Sequence, residues 1–475
     1  MRFMKIAIIG AGPAGITAAY ELAKQGIEVD VFESGPTPGG MARTILLWNQ
    51  RVDLGPHRFF SKNKKVNELW LEVIQEDYQI VNRLTRILYD KKFYNYPLSP
   101  LNAFNNMGLG QSIICILYYL KEAIIPTKQD GSFEAWVTRR FGKRLFEIFF
   151  KPYSEKLWGI PCAELDSDFA SQRIKKLSMF EVIKNALNSR KTQKHRSLLD
   201  QFAYPHTGTG ILYERMAHFV ENHKGKIYYK TPVEKVVIEE KHAKSLALVD
   251  GRLCHGYDHI ISTMPLSLLV NRLADVPQDV QEAASTLQFR NTVLVYLNID
   301  HVDLFPDQWI YIQSPEFKAG RITNFRNWAP QLYGNEKTTI LAMEYWCNAA
   351  DPLWKYSTED FIQLASGELK QMNFGQFKIL EGHVERLPRC YPIYHKGYKQ
   401  KLDIIQEYLK TIQGLSVIGR YGSFKYNNQD HSILMGLKAA ANIACGEHND
   451  LWGINTDYED YQESFVITKT GLVKG

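Results

Sequence analysis

Cysteine is sparse and scattered. The six cysteines, Cys115, Cys162, Cys254, Cys347, Cys390 and Cys445, form no CxxC pair and no cysteine–histidine ligand spacing. That excludes a disulfide framework or a sequence-coded metal site and fits free thiols in a reducing compartment, so a cytoplasmic protein without a metal is expected. Long apolar runs are missing as well. The most apolar stretch, "SIICILYYL" at 112–120, stops at Lys121 and Glu122, short of the ~20 residues needed to span a bilayer. A buried helix is expected there, with a membrane-surface patch as the weaker reading. "MRFMKIAIIGAG" at the start is broken by Gly10, Gly12 and Pro13 too early for a signal peptide. Neither sign of charge dominates: 57 basic residues oppose 51 acidic ones, a net +6 over 475 residues. Nucleic acid is therefore not an expected partner, whereas a small anionic substrate is compatible. Internal repeats are also absent.

What is present begins at "KIAIIGAGPAGITAAYELAKQGIEVDVFES", residues 5–34. A short apolar strand runs into Gly10-x-Gly12-x-x-Gly15, then a helix, then a second strand ending at Glu33. The first glycine permits the tight turn, the second lets a diphosphate approach the backbone, and the third lets helix and strand pack closely. The helix N-terminus then faces the phosphates, and Glu33 is placed to accept from ribose hydroxyls. "PTPGGMART" follows directly, with Gly39, Gly40 and Arg43. A second glycine pair suits the long body of flavin adenine dinucleotide better than a nicotinamide cofactor, so FAD is expected. Toward the C-terminus, Gly419 ends a strand and Arg420 can reach phosphate or ribityl. A helix starting near His431 and Ser432 would turn its positive end on a reduced, anionic flavin. Ala14, Ser34, Met41, Ala42, Val233 and Asn428 complete the expected cofactor contacts.

The order of patterns along the chain suggests an α/β protein with a discontinuous, Rossmann-like FAD-binding domain of the glutathione-reductase type. Its expected segments are 1–85, 201–265 and 411–450. A helical insert is expected at 86–200, where aromatic periodic runs such as "FEAWVTRRFGKRLFEIFF" (133–150) dominate. Residues 188–201, polar and basic, read as a surface connection. Residues 266–410 alternate apolar and polar, as in "NTVLVYLNID", which suits a mainly antiparallel sheet with one covered face. Residues 451–475 read as a tail.

Outside the dinucleotide grip, an ordered series of motifs resembles the UDP-galactopyranose mutase family, within the wider amine-oxidase-like and protoporphyrinogen-oxidase-like FAD superfamily. "DLGPHRFFSKNKKVNELW" (53–70) resembles a loop that packs against the flavin ring. "KKFYNYPLSP" (91–100) is similar to the strand ahead of the family's helical domain. "KPYSEKLWGIPCAELDSDFASQRI" (151–174) is the most specific match. "GRITNF" (320–325), "RCYPIYH" (389–395) and "IGRYGSFKYNNQDHS" (418–432) follow in family order. The resemblance implies an isomerase that contracts a pyranose to a furanose for surface polysaccharide precursors. In that family N5 of reduced FAD attacks the anomeric carbon as UDP leaves, the sugar ring opens and recloses as the five-membered form, and UDP returns.

The resemblance also implies roles. Arg173 and Arg321 would hold the departing diphosphate, since a guanidinium can bind two phosphate oxygens at once. His57 would lie against the flavin. Tyr153 would stack on the uracil, Trp158 would border the sugar, and Tyr391 and Tyr426 would donate hydroxyls to the diphosphate. Arg58 adds a cation where the family carries an aliphatic residue. The expected substrate is UDP-galactose or a relative, and a homodimer is left open. Three alternatives stand beside this reading. One is a net-redox flavoenzyme of the protoporphyrinogen oxidase or amine oxidase type. Another is a flavoprotein that binds a nucleotide or a partner without chemistry. The third is a mutase for another nucleotide sugar.

Overall fold

The computed structural model describes residues 4–96, 98, 100–169, 201–454, 465–469 and 471–474. The sequence "KIAII" is apolar throughout because its strand, β1 (Lys5–Ile9), lies at the centre of a five-stranded parallel sheet. Helix α1 (Pro13–Lys24) carries the chain back to β2 (Glu28–Phe32), which pairs with β1 in parallel register. The other strands come from distant parts of the chain: Gly225–Tyr228 beside β2, His259–Ser262 beside β1, and Leu415–Val417 at the far edge. Helices α1, Ile211–Asn222 and Gln429–Ala444 share one core with β1 and β2. The antiparallel strands Val233–Glu239, His242–Leu248 and Leu253–Cys254 form a separate small sheet.

A seven-stranded sheet forms the second layer system. Its order is 379–392, 289–299, 339–347, 321–324, 309–312, 85–89 and 92–95. All neighbours are antiparallel except 309–312 and 85–89, which are parallel. Along the strand Phe289–Ile299, Val293, Val295, Leu297 and Ile299 enter one core, while Leu294 and Tyr296 enter another. This is the two-residue alternation of a strand with both faces buried. The expected single covered face is therefore corrected. The helix Thr358–Gln371 inserts Phe361, Ala365 and Leu369 on one side, and Val52, Phe202, Tyr204 and Trp328 fill the other. Residues 85–95 belong to this sheet, so the helical insert starts later than residue 86. Its ends meet where Tyr78–Asn82 pairs antiparallel with Gln201–Pro205.

The insert contains helices Pro100–Met107, Leu109–Ile124, Phe133–Phe141 and Lys151–Trp158, with a π-helical turn at Phe146–Phe150. The helix Leu109–Ile124 is not the buried helix expected. It buries only the stripe Ser112, Cys115 and Glu122, because the packed helices of the insert cover one side of it alone. Among the described residues, no helix is long and apolar enough to cross a membrane. The described part of the 451–475 segment includes a hairpin, Phe465–Thr468 paired with Gly471–Lys474. It is tied to the body where the Tyr78 hydroxyl donates to the Thr468 carbonyl at 2.8 Å.

Candidate active site

The turn after β1 is built by glycine chemistry. Gly10 has φ +94°, and a Cβ there would lie 2.2 Å from Thr263 Oγ1. A Cβ on Gly15 would lie 2.0 Å from the Gly10 carbonyl oxygen. Gly12 differs: the nearest atom to its Cβ position is 3.9 Å away, so the space above it is open. Gly12 is also the N-cap of α1, with Pro13 at the first helical position. The N–H groups and positive dipole of that helix end could receive a diphosphate. The Glu33 carboxylate accepts from Ala11 N at 2.7 Å and Gly35 N at 2.6 Å, fixing the glycine turn. Oε1 accepts a second bond from Ser34 Oγ at 3.3 Å, which leaves Oε2 with a lone pair for a ribose hydroxyl. Gly39 N donates to the Ala11 carbonyl at 2.8 Å, which brings the second glycine pair against the first.

A cleft enclosing about 1430 Å³, its open mouth included, starts at this turn and runs to the seven-stranded sheet. Gly12, Ala14, Gly40, Met41, Ala42, His57, Arg58, Arg321, Gly419, Arg420, Tyr426 and Asn428 all line it. Among the described lining residues four arginines, Arg58, Arg83, Arg321 and Arg420, face one acid, Asp430. Such a lining attracts anions.

Arg321 is held by Glu344 through Nε–Oε1 and Nη2–Oε2 contacts of 2.6 Å each. Burial acts to lower the Arg321 pKa, but Glu344 more than offsets it and drives the pKa well up. With two nitrogens committed, Nη1 is the part left for a bound anion. Arg420 is fixed by Cys390 O at 3.0 Å and Asn427 O at 2.7 Å, and lies over the rings of Tyr391 and Tyr426.

Four polar atoms on lining residues are buried without a hydrogen-bond partner in the described structure: Arg420 Nη2, His57 Nδ1, Asn427 Oδ1 and Trp309 Nε1. Buried polar groups are normally paired, so these four fit a polar ligand. The His57 carbonyl accepts from Thr209 Oγ1 at 3.0 Å and Gln429 Nε2 at 3.1 Å, which fixes the loop. Burial, reinforced by Arg321 and Arg420, pushes the imidazole pKa down to about 3. His57 is thus neutral and can only offer one donor and one acceptor.

Other expected site residues lie around the cleft rather than on its described lining. Tyr391 stacks on Tyr426 with centroids 5.4 Å apart and an 18° interplanar angle. Trp158 is fully buried behind them, packed on Phe169, Tyr391, Tyr394 and Tyr426. Tyr153 touches Tyr311 and Trp346 edge-on at 5.6 Å. Burial, with Tyr311 next to it, pushes the Tyr153 phenol pKa well up, so it stays protonated. Gly10, Gly15, Glu33, Ser34, Gly39 and Arg43 shape the turn, and Arg43 Nε donates to the Gly40 carbonyl. Val233 is buried in the small sheet, its carbonyl accepting from Arg272. Arg173 lies outside the described residues. The closing helix begins at Gln429 with Asn428 as N-cap, two residues earlier than expected. Arg83, Tyr96, Thr263, Trp309 and Tyr311 also line the cleft and were not among the expected site residues, although Tyr96 lies in the motif at 91–100. They converge only because β-pairing joins strands 85–89 and 309–312 and sets His259–Ser262 beside β1.

A βαβ glycine turn facing a seven-stranded sheet across one cleft is the mixed α/β arrangement of a flavoprotein. The chain belongs to the flavin containing amine oxidoreductase family, whose model matches residues 13–444, and membership implies a flavin cofactor. In fold it is similar to a reduced UDP-galactopyranose mutase, with TM-score 0.83 and 22% identity over 94% of this chain and 96% of that one. It is also similar to a putative protoporphyrinogen oxidase from Exiguobacterium sp. 255-15, with TM-score 0.72 and 17% identity over 94% of this chain and 100% of that one. In sequence it is 29% identical over 180 residues to a probable UDP-galactopyranose mutase of Klebsiella pneumoniae, covering 35% of this chain and 44% of that protein. A 37-residue stretch, 8% of this chain, is 65% identical to a thiamine thiazole synthase of Thermotoga maritima and covers 15% of it. The chain therefore spans less than half the length of these two relatives.

Proposed function

We propose that the protein is an FAD-dependent nucleotide-sugar mutase that contracts the ring of UDP-galactose or a near relative. The observation that carries this reading is the union, in one cleft, of an open dinucleotide turn at Gly12 with Arg321 and the Arg420–Tyr426 pair, which Tyr391 backs from behind the lining. The comparisons with the two mutases support it. Reduced FAD, when bound, supplies an electron-rich nitrogen next to the anomeric carbon.

The chain's own residues do the rest. Gly12 and the first turn of α1 receive the cofactor diphosphate, Glu33 its ribose, and Arg420 its central part. Buried His57 stays neutral and keeps a fixed donor and acceptor beside the ring without adding a titrating charge. Arg321, kept rigid by Glu344, presents Nη1 to the substrate diphosphate, with Arg173 as its proposed partner. A preorganised cation of this kind pays no reorganisation cost when charge builds on a leaving group, and is worth about 3 kcal/mol of barrier. Tyr153 and Trp158 form the aromatic wall behind the nucleotide and sugar, while Tyr391 and Tyr426 offer hydroxyls. Arg58 and Arg83 add positive charge that favours a dianionic substrate. The free thiols support a cytoplasmic setting, with the product feeding polysaccharide assembly.

The test is anaerobic incubation of dithionite-reduced protein with a panel of UDP-sugars, reading products by chromatography and NMR. A furanose product from at least one sugar is expected. Its absence across the panel, with flavin bound and reduced, rejects the mutase reading.

A further inference from the structure

The helix Leu109–Ile124 carries two stripes on opposite sides. Ser112, Cys115 and Glu122 face inward, and the one acid of the helix, Glu122, is capped by Thr127 through its N–H at 2.8 Å and its hydroxyl at 2.9 Å. The outward stripe follows helical spacing with large apolar side chains. Leu109 is 84% exposed, Ile113 55%, Leu117 59%, Leu120 50% and Ile124 79%. At ~1.5 Å per residue the stripe is ~22 Å long. Gln111, the polar residue near its start, is tied to Arg144 at 2.9 Å. No acidic or basic residue occurs from Gly108 to Leu120, and Lys121 is the first charge. A contiguous apolar face of this size is not ordinary surface.

What adjoins it is basic. The backbone at Gly142 abuts the helix so closely that a Cβ there would lie 2.8 Å from Tyr119 N. On either side of that contact Arg139, Arg140 and Lys143 are exposed. An apolar helix face rimmed by cations, with Tyr118 beside it and too short to span, is the pattern of a helix lying in a lipid interface. Two-fold self-association would bring the same basic rim against itself, which disfavours a second copy as the occupant.

We propose that this face docks on the surface of an anionic lipid bilayer, with the apolar stripe among the acyl chains and the basic rim on the headgroups. The proposal is independent of the reaction catalysed. The test uses the full-length flavoprotein in co-sedimentation with vesicles of phosphatidylcholine alone or mixed with phosphatidylglycerol. The unaltered protein should pellet with the anionic vesicles and be released as salt rises. The triple variant Ile113→Gln, Leu117→Gln, Leu120→Gln should lose at least about tenfold in partitioning, with its flavin spectrum and melting curve unchanged. The double variant Arg139→Gln, Lys143→Gln should lose roughly tenfold to thirtyfold on anionic vesicles alone. Unchanged pelleting in either variant overturns the proposal, as does equal binding to both vesicle types. A concentration-dependent oligomer abolished by the triple variant, without vesicle binding, assigns the face to a second copy and also overturns it.

Discussion

Replacing Arg321 with Met tests the central side-chain pair. In the native chain its guanidinium and the Glu344 carboxylate meet through two 2.6 Å contacts, with Glu344 almost fully buried. Losing one partner of such a pair strands the other charge, at about 3–5 kcal/mol. Unfolding entropy near 2.1 cal/mol/K per residue, taken over 475 residues, is about 1 kcal/mol/K. The melting temperature should therefore fall by about 3–5 °C, more if the sheet domain unfolds separately. The double variant Arg321→Met, Glu344→Gln removes the stranded charge and should recover most of that loss. On the proposed mutase reading, its turnover with UDP-galactose should stay down by about 10²–10³-fold, because the cation assigned to the leaving group is gone. Calorimetry and product assays on the same preparations separate the two effects. A single variant as stable as the parent refutes the buried-pair argument. A double variant that regains turnover refutes the leaving-group role of Arg321.

Two further outcomes follow from the geometry. Gly12→Ala should fold normally, since nothing lies closer than 3.9 Å to its Cβ position, yet lose flavin affinity by roughly tenfold or more. Gly15→Ala should instead lower stability through its 2.0 Å clash with the Gly10 carbonyl; equal behaviour of the two in flavin titrations and melts contradicts the turn's assignment. His57, held at about 3 against an ordinary 6.5, makes the unfolded state the better proton binder between those values. Its contribution to stability is complete above pH 6.5 and is lost as pH falls toward 3, at up to ~1.4 kcal/mol per unit. His57→Gln should flatten that part of the denaturation profile, and an identical pH dependence in the variant contradicts a buried neutral imidazole.

The dinucleotide grip was legible because it is local: a short apolar strand, three glycines at fixed offsets and an acid lie within 30 residues of one another. The seven-stranded sheet was legible as strands, from alternation in "NTVLVYLNID", but not as a layer with two buried faces. Alternation there distinguishes two cores, built by Phe361 and by Trp328, which only the fold brings to opposite sides. Arg83 and Tyr311 were silent for a similar reason, and Tyr96, though inside the motif at 91–100, gave no sign that its side chain reaches the cleft. Each joins the cleft through pairing of strands far apart in sequence. The helix Leu109–Ile124 misled because its more apolar stripe is the exposed one, while the covered stripe carries Ser112, Cys115 and Glu122, and only packing reveals which is which. Glu33 shows a subtler difference. The spacing pointed to ribose, and the structure adds that its carboxylate also holds the Ala11 and Gly35 N–H groups.

The most direct measurement is made in one anaerobic cuvette, recording the flavin spectrum while UDP-galactose is added to the oxidised protein and then to the protein after dithionite reduction. The oxidised spectrum should survive substrate unbleached, and the furanose isomer should accumulate only after reduction. Bleaching of the oxidised flavin by the sugar, with no furanose formed in either state, would instead mark net oxidation of substrate and contradict the mutase assignment.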